Sequence, residues 1–201
     1  MTPRIRKLII FSRLTLVLAL ASLLGACAHP IVISPIETPG RDSAFLSPKK
    51  AAYVMTDADR NTQVTTEGGG GDKVSYFPYR DLEKGIRDAL RAVYSDVFVI
   101  KSPFDSDAIQ QNGISFVFAP EILTSSSSQS IFTWPPTQFT IELSCYVTDP
   151  AGNILSRIRV VGSGAAEFSE FKSDLGLAGR RAASDVSEKL KQEIRANPRL
   201  H

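Results

Sequence analysis

The run Phe139-Thr140-Ile141-Glu142-Leu143-Ser144-Cys145-Tyr146-Val147-Thr148 constrains the fold more than any other stretch of the chain. Apolar residues hold its odd positions and mostly polar ones its even positions, a period of two that puts each set on its own face of a β-strand. Asp149-Pro150-Ala151-Gly152-Asn153 follows as a stretch of turn formers. Ile158 and Val160 then alternate with Arg157 and Arg159. The segments Phe139–Thr148 and Ile154–Val161 therefore read as a hairpin with one wet face and one dry face. A dry face must be covered, and two segments have the helical period to cover it.

In the first of these, Tyr79, Leu82, Ile86, Ala89, Leu90 and Val93 recur at steps of three and four, which predicts a helix from Tyr79 to Tyr94. Pro78 suits its first turn, and Asp81 and Glu83 complement the positive end of its dipole. Gly85 costs this helix about 1 kcal/mol relative to Ala. In the second, Ala178, Ala182, Val186, Leu190 and Ile194 mark a helix that begins near Ser173 or Asp174 and stops at Asn197-Pro198. Apolar runs at Ala51–Met55, Val97–Ile100 and Ile114–Ala119 read as further strands. The first two, with the helix between them, can form a right-handed crossover. The third is apolar on both faces, as a central strand under a helix is. The expected fold class is α+β: a mostly antiparallel sheet of about five strands with two helices packed on one face. It forms a single domain over residues 49–197, with a tail at 198–201.

Upstream the composition changes. Arg4, Arg6, Lys7 and Arg13 precede and flank Leu14–Leu24, an unbroken run of 11 apolar and small residues, and together they have the form of an export signal. As a helix the run reaches only about 17 Å against about 30 Å of hydrocarbon, too short for a permanent span. It closes at Leu24-Gly25-Ala26-Cys27, and these four residues resemble the lipobox of bacterial lipoproteins. The resemblance implies cleavage after Ala26, a diacylglycerol on the Cys27 sulfur and an acylated amine, so that residues 1–26 are a leader and the membrane is a partner through the lipid. Two or three acyl chains hold stably where one holds marginally. In the enteric sorting rule an Asp after the cysteine marks inner-membrane retention. Ala28 stands there instead, which favours the outer membrane, facing the periplasm.

Removing the leader's four cations takes the formal charge from +2 to −2. With no Lys/Arg run either, no nucleic-acid partner is expected. Over residues 27–48, Pro30, Pro35, Pro39 and Pro48 read as a semi-extended tether with a reach of about 60 Å at most. Ile31, Val32, Ile33 and Ile36 are too apolar for a solvated linker and call for packing on the domain or on a partner.

Chemically reactive groups are sparse. The histidines are His29 and His201, neither in a predicted element, so the base of a Ser/His/Asp or Cys/His arrangement and the imidazole ligands of a zinc site are missing. No catalytic residue, metal site or cofactor is expected. Lipidation of Cys27 leaves Cys145 without a disulfide partner, and its place in the alternating run makes it a small core hydrophobe, the competing reading being a redox or intermolecular thiol. Glu121, Glu142, Glu167, Glu170 and Asp174 are the carboxylates from which a glycoside hydrolase would draw a pair about 5 to 9.5 Å apart. Gly68-Gly69-Gly70-Gly71-Asp72-Lys73 joins glycines to a lysine ahead of a helix. A phosphate loop would need Gly-Lys-Ser/Thr running straight into that helix. Asp72, Val74 and Pro78 break this pattern, and a flexible loop is expected.

Thr124–Gln138 (TSSSSQSIFTWPPTQ) connects two strands, and its serines are expected to be mobile. Ile131, Phe132 and Trp134 place large apolar area on that loop and are the candidate partner-binding residues, since Trp is over-represented among residues that dominate interfaces. The alternative is that Trp134 tucks under its own loop.

The helix Tyr79–Tyr94, Ala119-Pro120 closing a strand, the turn Asp149–Asn153, Gly162-Ser163-Gly164 and the Ala-rich last helix together resemble the periplasmic domains of YajG-like lipoproteins and of auxiliary lipoproteins of envelope transport systems. With the anchor and the missing catalytic groups, this favours a non-enzymatic binding, scaffold or assembly component, working in an envelope protein complex or on peptidoglycan. Two other readings stay open: a carboxylate-dependent glycan-active enzyme at the cell wall, and a lipid or sugar carrier with a deep apolar pocket between helices and sheet.

Overall fold

The computed structural model describes residues 28–129, 132–171 and 174–200. Leu24, Gly25, Ala26, Cys27, Ile131 and His201 lie outside the described residues. The elements in chain order are β1 (Ala28–Pro30), β2 (Ser47–Val54), α1 (Asp57–Arg60), β3 (Val64–Glu67), β4 (Lys73–Tyr76), α2 (Pro78–Arg91), β5 (Tyr94–Ile100), α3 (Ser106–Asn112), β6 (Phe116–Ser127), β7 (Gln138–Thr148), β8 (Ile154–Ala165) and α4 (Leu177–Ala196). The class is α+β. A five-stranded sheet runs β5-β2-β6-β7-β8, and a three-stranded sheet runs β1-β4-β3.

The large sheet is mixed rather than mostly antiparallel. β2 pairs in parallel with both β5 and β6, while β6, β7 and β8 form an antiparallel meander. Connectivity is the cause: α2 lies between β2 and β5 and α3 between β5 and β6, and a crossover returns the chain in the same direction. In the hairpin, Phe139, Ile141, Leu143, Cys145 and Val147 are all buried. On the opposite face Arg159 donates from Nε and Nη2 to the two carboxylate oxygens of Glu142 at 2.7 and 2.8 Å. Asp149 Oδ1 accepts from the Ala151 and Asn153 N–H groups at 2.9 Å each, which fixes the turn.

Helices α2 and α4 cover the dry face. Leu82, Leu90, Val186, Leu190 and Ile194 pack with Phe118, Ile141 and Leu143 in one core, each such side chain worth about 1.5–3 kcal/mol of burial. The other face has its own small core, where Ile109 of α3 meets Ala52, Ile100, Ile114 and Val117. This is why Ile114–Ala119 reads as apolar on both sides. The contact of α4 with β8 is close: a Cβ at Gly162 or Gly164 would strike the carbonyls of Ala182 and Ala178. Glycines in the strand face alanines in the helix so that two backbones can touch.

Three further expectations are corrected. Residues 28–38 are laid along the domain rather than held off as a tether. β1 pairs in parallel with β4, with Ala28 opposite Lys73 and Pro30 opposite Ser75. The Ile31 N–H donates to Ser75 O at 2.9 Å and the Ile33 N–H to Asp81 Oδ2 at 3.1 Å, while Ile36 and Glu37 donate to Ser184 Oγ at 3.0 and 3.1 Å. The isoleucines outweigh the prolines, because burying Ile31 and Ile33 offsets the ordering of a segment whose prolines leave less backbone freedom to lose. His29 consequently belongs to a folded element, β1.

Second, Thr124–Ser127 are not mobile but form the end of β6. Tyr76 donates to Thr124 Oγ1 at 2.6 Å, and the hydroxyls of Thr66 and Ser126 are 2.6 Å apart, so small polar side chains bind the small sheet to the large one. Third, the glycine run is a defined β3–β4 turn. The Gly68 N–H donates to Asp72 O at 2.9 Å, and Gly70 and Gly71 take φ values of 66° and 88°, which glycine adopts at no steric cost.

Candidate functional site at the N-terminal pole

The start of β1, the β3–β4 turn, the connection before β7 and the connection before α4 meet at one end of the molecule. The Gly69 N–H donates to Trp134 O at 2.9 Å, and the Ala166 N–H to Thr137 O at 3.0 Å. Gly176 lies against the Val32 carbonyl with no room for a Cβ. The rings of His29 and Trp134 stack, with centroids 4.2 Å apart and planes 20° from parallel, and His29 Nε2 lies 3.7 Å from Asp72 Oδ2.

Trp134 is half-buried. One side of the ring packs on the main core and on His29. Another side lines a cleft of about 270 Å³ with Phe132, Pro135, Phe168, Phe171 and Leu175. Phe132 is 91% exposed, Phe168 66% and Leu175 43%. Leu175 also borders a larger cleft of about 480 Å³, whose walls include Val32, Phe77, Arg80 and Arg180. The Arg80 guanidinium sits 3.9 Å from the centre of the Phe77 ring. Arg180 donates to Asp174 Oδ2 at 2.5 Å and to Ser34 O at 3.1 Å. The result is an exposed apolar patch bordered by two arginines.

Two solved structures resemble this fold in outline. A Xanthomonas campestris protein of the DUF330 family is 12% identical, with a TM-score of 0.49, covering 86% of this chain and 100% of its own. A single-substitution variant of PelC from Paraburkholderia phytofirmans, solved as a dodecamer, is also 12% identical, with a TM-score of 0.42, covering 77% of this chain and 94% of its own. No family model and no curated protein sequence matches the chain.

Of the sequence-predicted residues, Phe132 and Trp134 come together here, while Ile131 is outside the described residues. Phe168, Phe171, Leu175, His29, Arg80 and Arg180 were not anticipated. For Phe168 and Phe171 the one signal is Glu167-Phe168-Ser169-Glu170-Phe171, where aromatic residues interrupt a polar stretch that has neither period.

The carboxylates are arranged for pairing. Arg181 donates to Glu170 Oε1 at 2.6 Å, and this bond, helped by the Glu167 N–H, lowers the Glu170 pKa to about 2. Glu142 is likewise held below its ordinary range by the bond from Arg159. A general acid needs the opposite displacement. Asp81 is displaced upward by desolvation, against the pull of the Ile33 N–H and Arg80, but its side chain is buried and spent on a backbone amide. Cys145 is buried, and desolvation followed by the nearby Glu121 charge raises its pKa to about 12, which fits a small core hydrophobe. Among the described residues no three His, Cys, Asp or Glu side chains converge as metal ligands would, and no helix is long and apolar enough to cross a membrane.

Proposed function

We propose that this chain is a lipid-anchored protein of the cell envelope, held at the outer membrane through Cys27 and acting by binding or scaffolding rather than by catalysis. One observation carries the reading: Leu24-Gly25-Ala26-Cys27 closes an apolar run too short to span a bilayer, in a leader with four cations and no acidic residue. Its partners are an envelope protein complex or peptidoglycan. The non-catalytic part draws support from the pairing of Glu142 and Glu170 with arginines and from the burial of the Cys145 thiol. A carrier role draws none from the helix–sheet interface, where Leu82, Leu90 and Leu190 fill the space against Ile141 and Leu143.

Metabolic labelling with an alkyne fatty acid tests the anchor. The mature protein is expected to carry the label and to sediment with membranes, and Cys27→Ser to lose the label and keep its leader. A processed protein without label overturns the reading.

A further inference from the structure

We infer that the N-terminal pole seats the domain on the bilayer itself, with Phe132, Phe168 and Leu175 inserted into the leaflet that carries the Cys27 lipid and Trp134 at its polar boundary. This inference rests on the anchoring reading above.

The argument begins with reach. Ala28 is already paired with Lys73, and the next residues are held through the Ile31–Ser75 and Ile33–Asp81 bonds. One residue spans at most about 3.6 Å, so a lipid on Cys27 emerges at the edge of the small sheet with no slack to carry the domain away. His29, two residues on from Cys27, stacks on Trp134 at 4.2 Å, and Trp134 lines the cleft shared with Phe132, Phe168 and Leu175. The exposed apolar patch is therefore one ring away from the anchored segment. Whatever else the protein meets, the membrane is already held against this pole.

The chemistry of the patch matches a lipid surface. Phenylalanine and leucine side chains partition into the acyl boundary, and tryptophan favours the headgroup level, where its ring is half in apolar surroundings. Arg80 and Arg180, joined to the patch through Leu175, have stems long enough to stay at the depth of lipid phosphates while the patch inserts. Arg180 is already paired with Asp174, and the mature chain is expected to be net negative. Apolar insertion, not charge, is then the main attraction. The patch also acts as a brake on rotation: an acyl anchor alone lets a domain tumble, whereas an anchor and a patch together fix which surfaces face the periplasm.

Trp134 is the chain's single tryptophan, so its emission reports this pole alone. The test uses the lipidated protein purified from membranes and reconstituted into phosphatidylethanolamine and phosphatidylglycerol vesicles, with and without acyl chains dibrominated near the headgroup. Wild-type emission is expected to fall about twofold or more in the brominated vesicles, as for a ring within the interfacial zone of about 5–10 Å. In the Phe132→Ser/Phe168→Ser double variant, which removes two exposed side chains and leaves the core intact, the fall is expected to be largely lost. Unchanged wild-type emission, with the lipid on Cys27 present by mass, overturns the seating and leaves the anchor standing; a protein partner covering the pole would give this result. Equal quenching in the double variant overturns the role given to the two phenylalanines. A mature N-terminus without lipid by mass overturns the anchor, and the seating with it.

Discussion

Asp81 sits in the first turn of α2 with 6% of its surface exposed, and its Oδ2 receives the Ile33 N–H at 3.1 Å. The sequence identifies it as a residue suited to the helix dipole; only the fold makes it the receiver of an amide 48 positions earlier. Asp81→Ala leaves that buried N–H without its acceptor, and a loss of about 1–3 kcal/mol in urea unfolding is expected, with earlier proteolytic cleavage near residues 28–38. Asp81→Asn keeps an acceptor and removes a desolvated charge. Because desolvation raises the folded pKa of Asp81, its contribution is full below the unfolded value and is lost as pH rises through the folded one. The stability of the Asn variant relative to wild type is therefore expected to improve from acid to neutral pH. Cys145 was legible where Asp81 was not, because period-two alternation alone decides which face a strand residue occupies.

Elements show the same division. The β7–β8 hairpin, α2 and α4 are long enough for their periods to be read from the chain, and the structure forms all three, with α2 ending at Arg91 rather than at Tyr94, which opens β5. The length of β6 was not legible, since the threonine and serines that extend it are held by Tyr76 and Thr66 from another sheet. Strands β1, β3 and β4 have three or four residues each and α3 has seven, too few for a pattern to stand out. The start of α4 moves from Ser173 or Asp174 to Leu177, after Gly176. The clearest element-scale test is the α4–β8 contact. Gly164→Val has to displace the Ala178 carbonyl, and a loss of about 1–3 kcal/mol or more is expected in chemical denaturation. Ser163→Ala, one position away on the outer face, is expected to stay within about 0.5 kcal/mol.

For the molecule as a whole, carboxylates bound by arginine are among the groups whose protonation weakens the fold in acid. Hydrogen bonds from Arg60, Arg159 and Arg181 hold Glu83, Glu142 and Glu170 below their ordinary range, Glu170 at about 2. A depressed folded pKa contributes stability that is present above the unfolded value of about 4.3 and is lost as pH falls through the folded one. Thermal unfolding is expected to hold steady from neutral pH to about 5 and to decline towards pH 2, with Asp81 opposing the trend. At the pole, the sequence singled out Phe132 and Trp134 because large apolar residues on a loop stand out wherever they are. It could not join them to Phe168, Leu175 and His29, which are distant in the chain and meet only when three turns converge. The chain by itself determined the α+β class and the face of each long strand and helix, since those depend on local order and period. Tertiary structure alone decided that β6 also pairs in parallel with β2, that residues 28–30 form a strand on β4, and that the exposed aromatics gather beside that strand. Each of these is a contact between distant residues, whose free energy appears only once the chain has closed the loops between them.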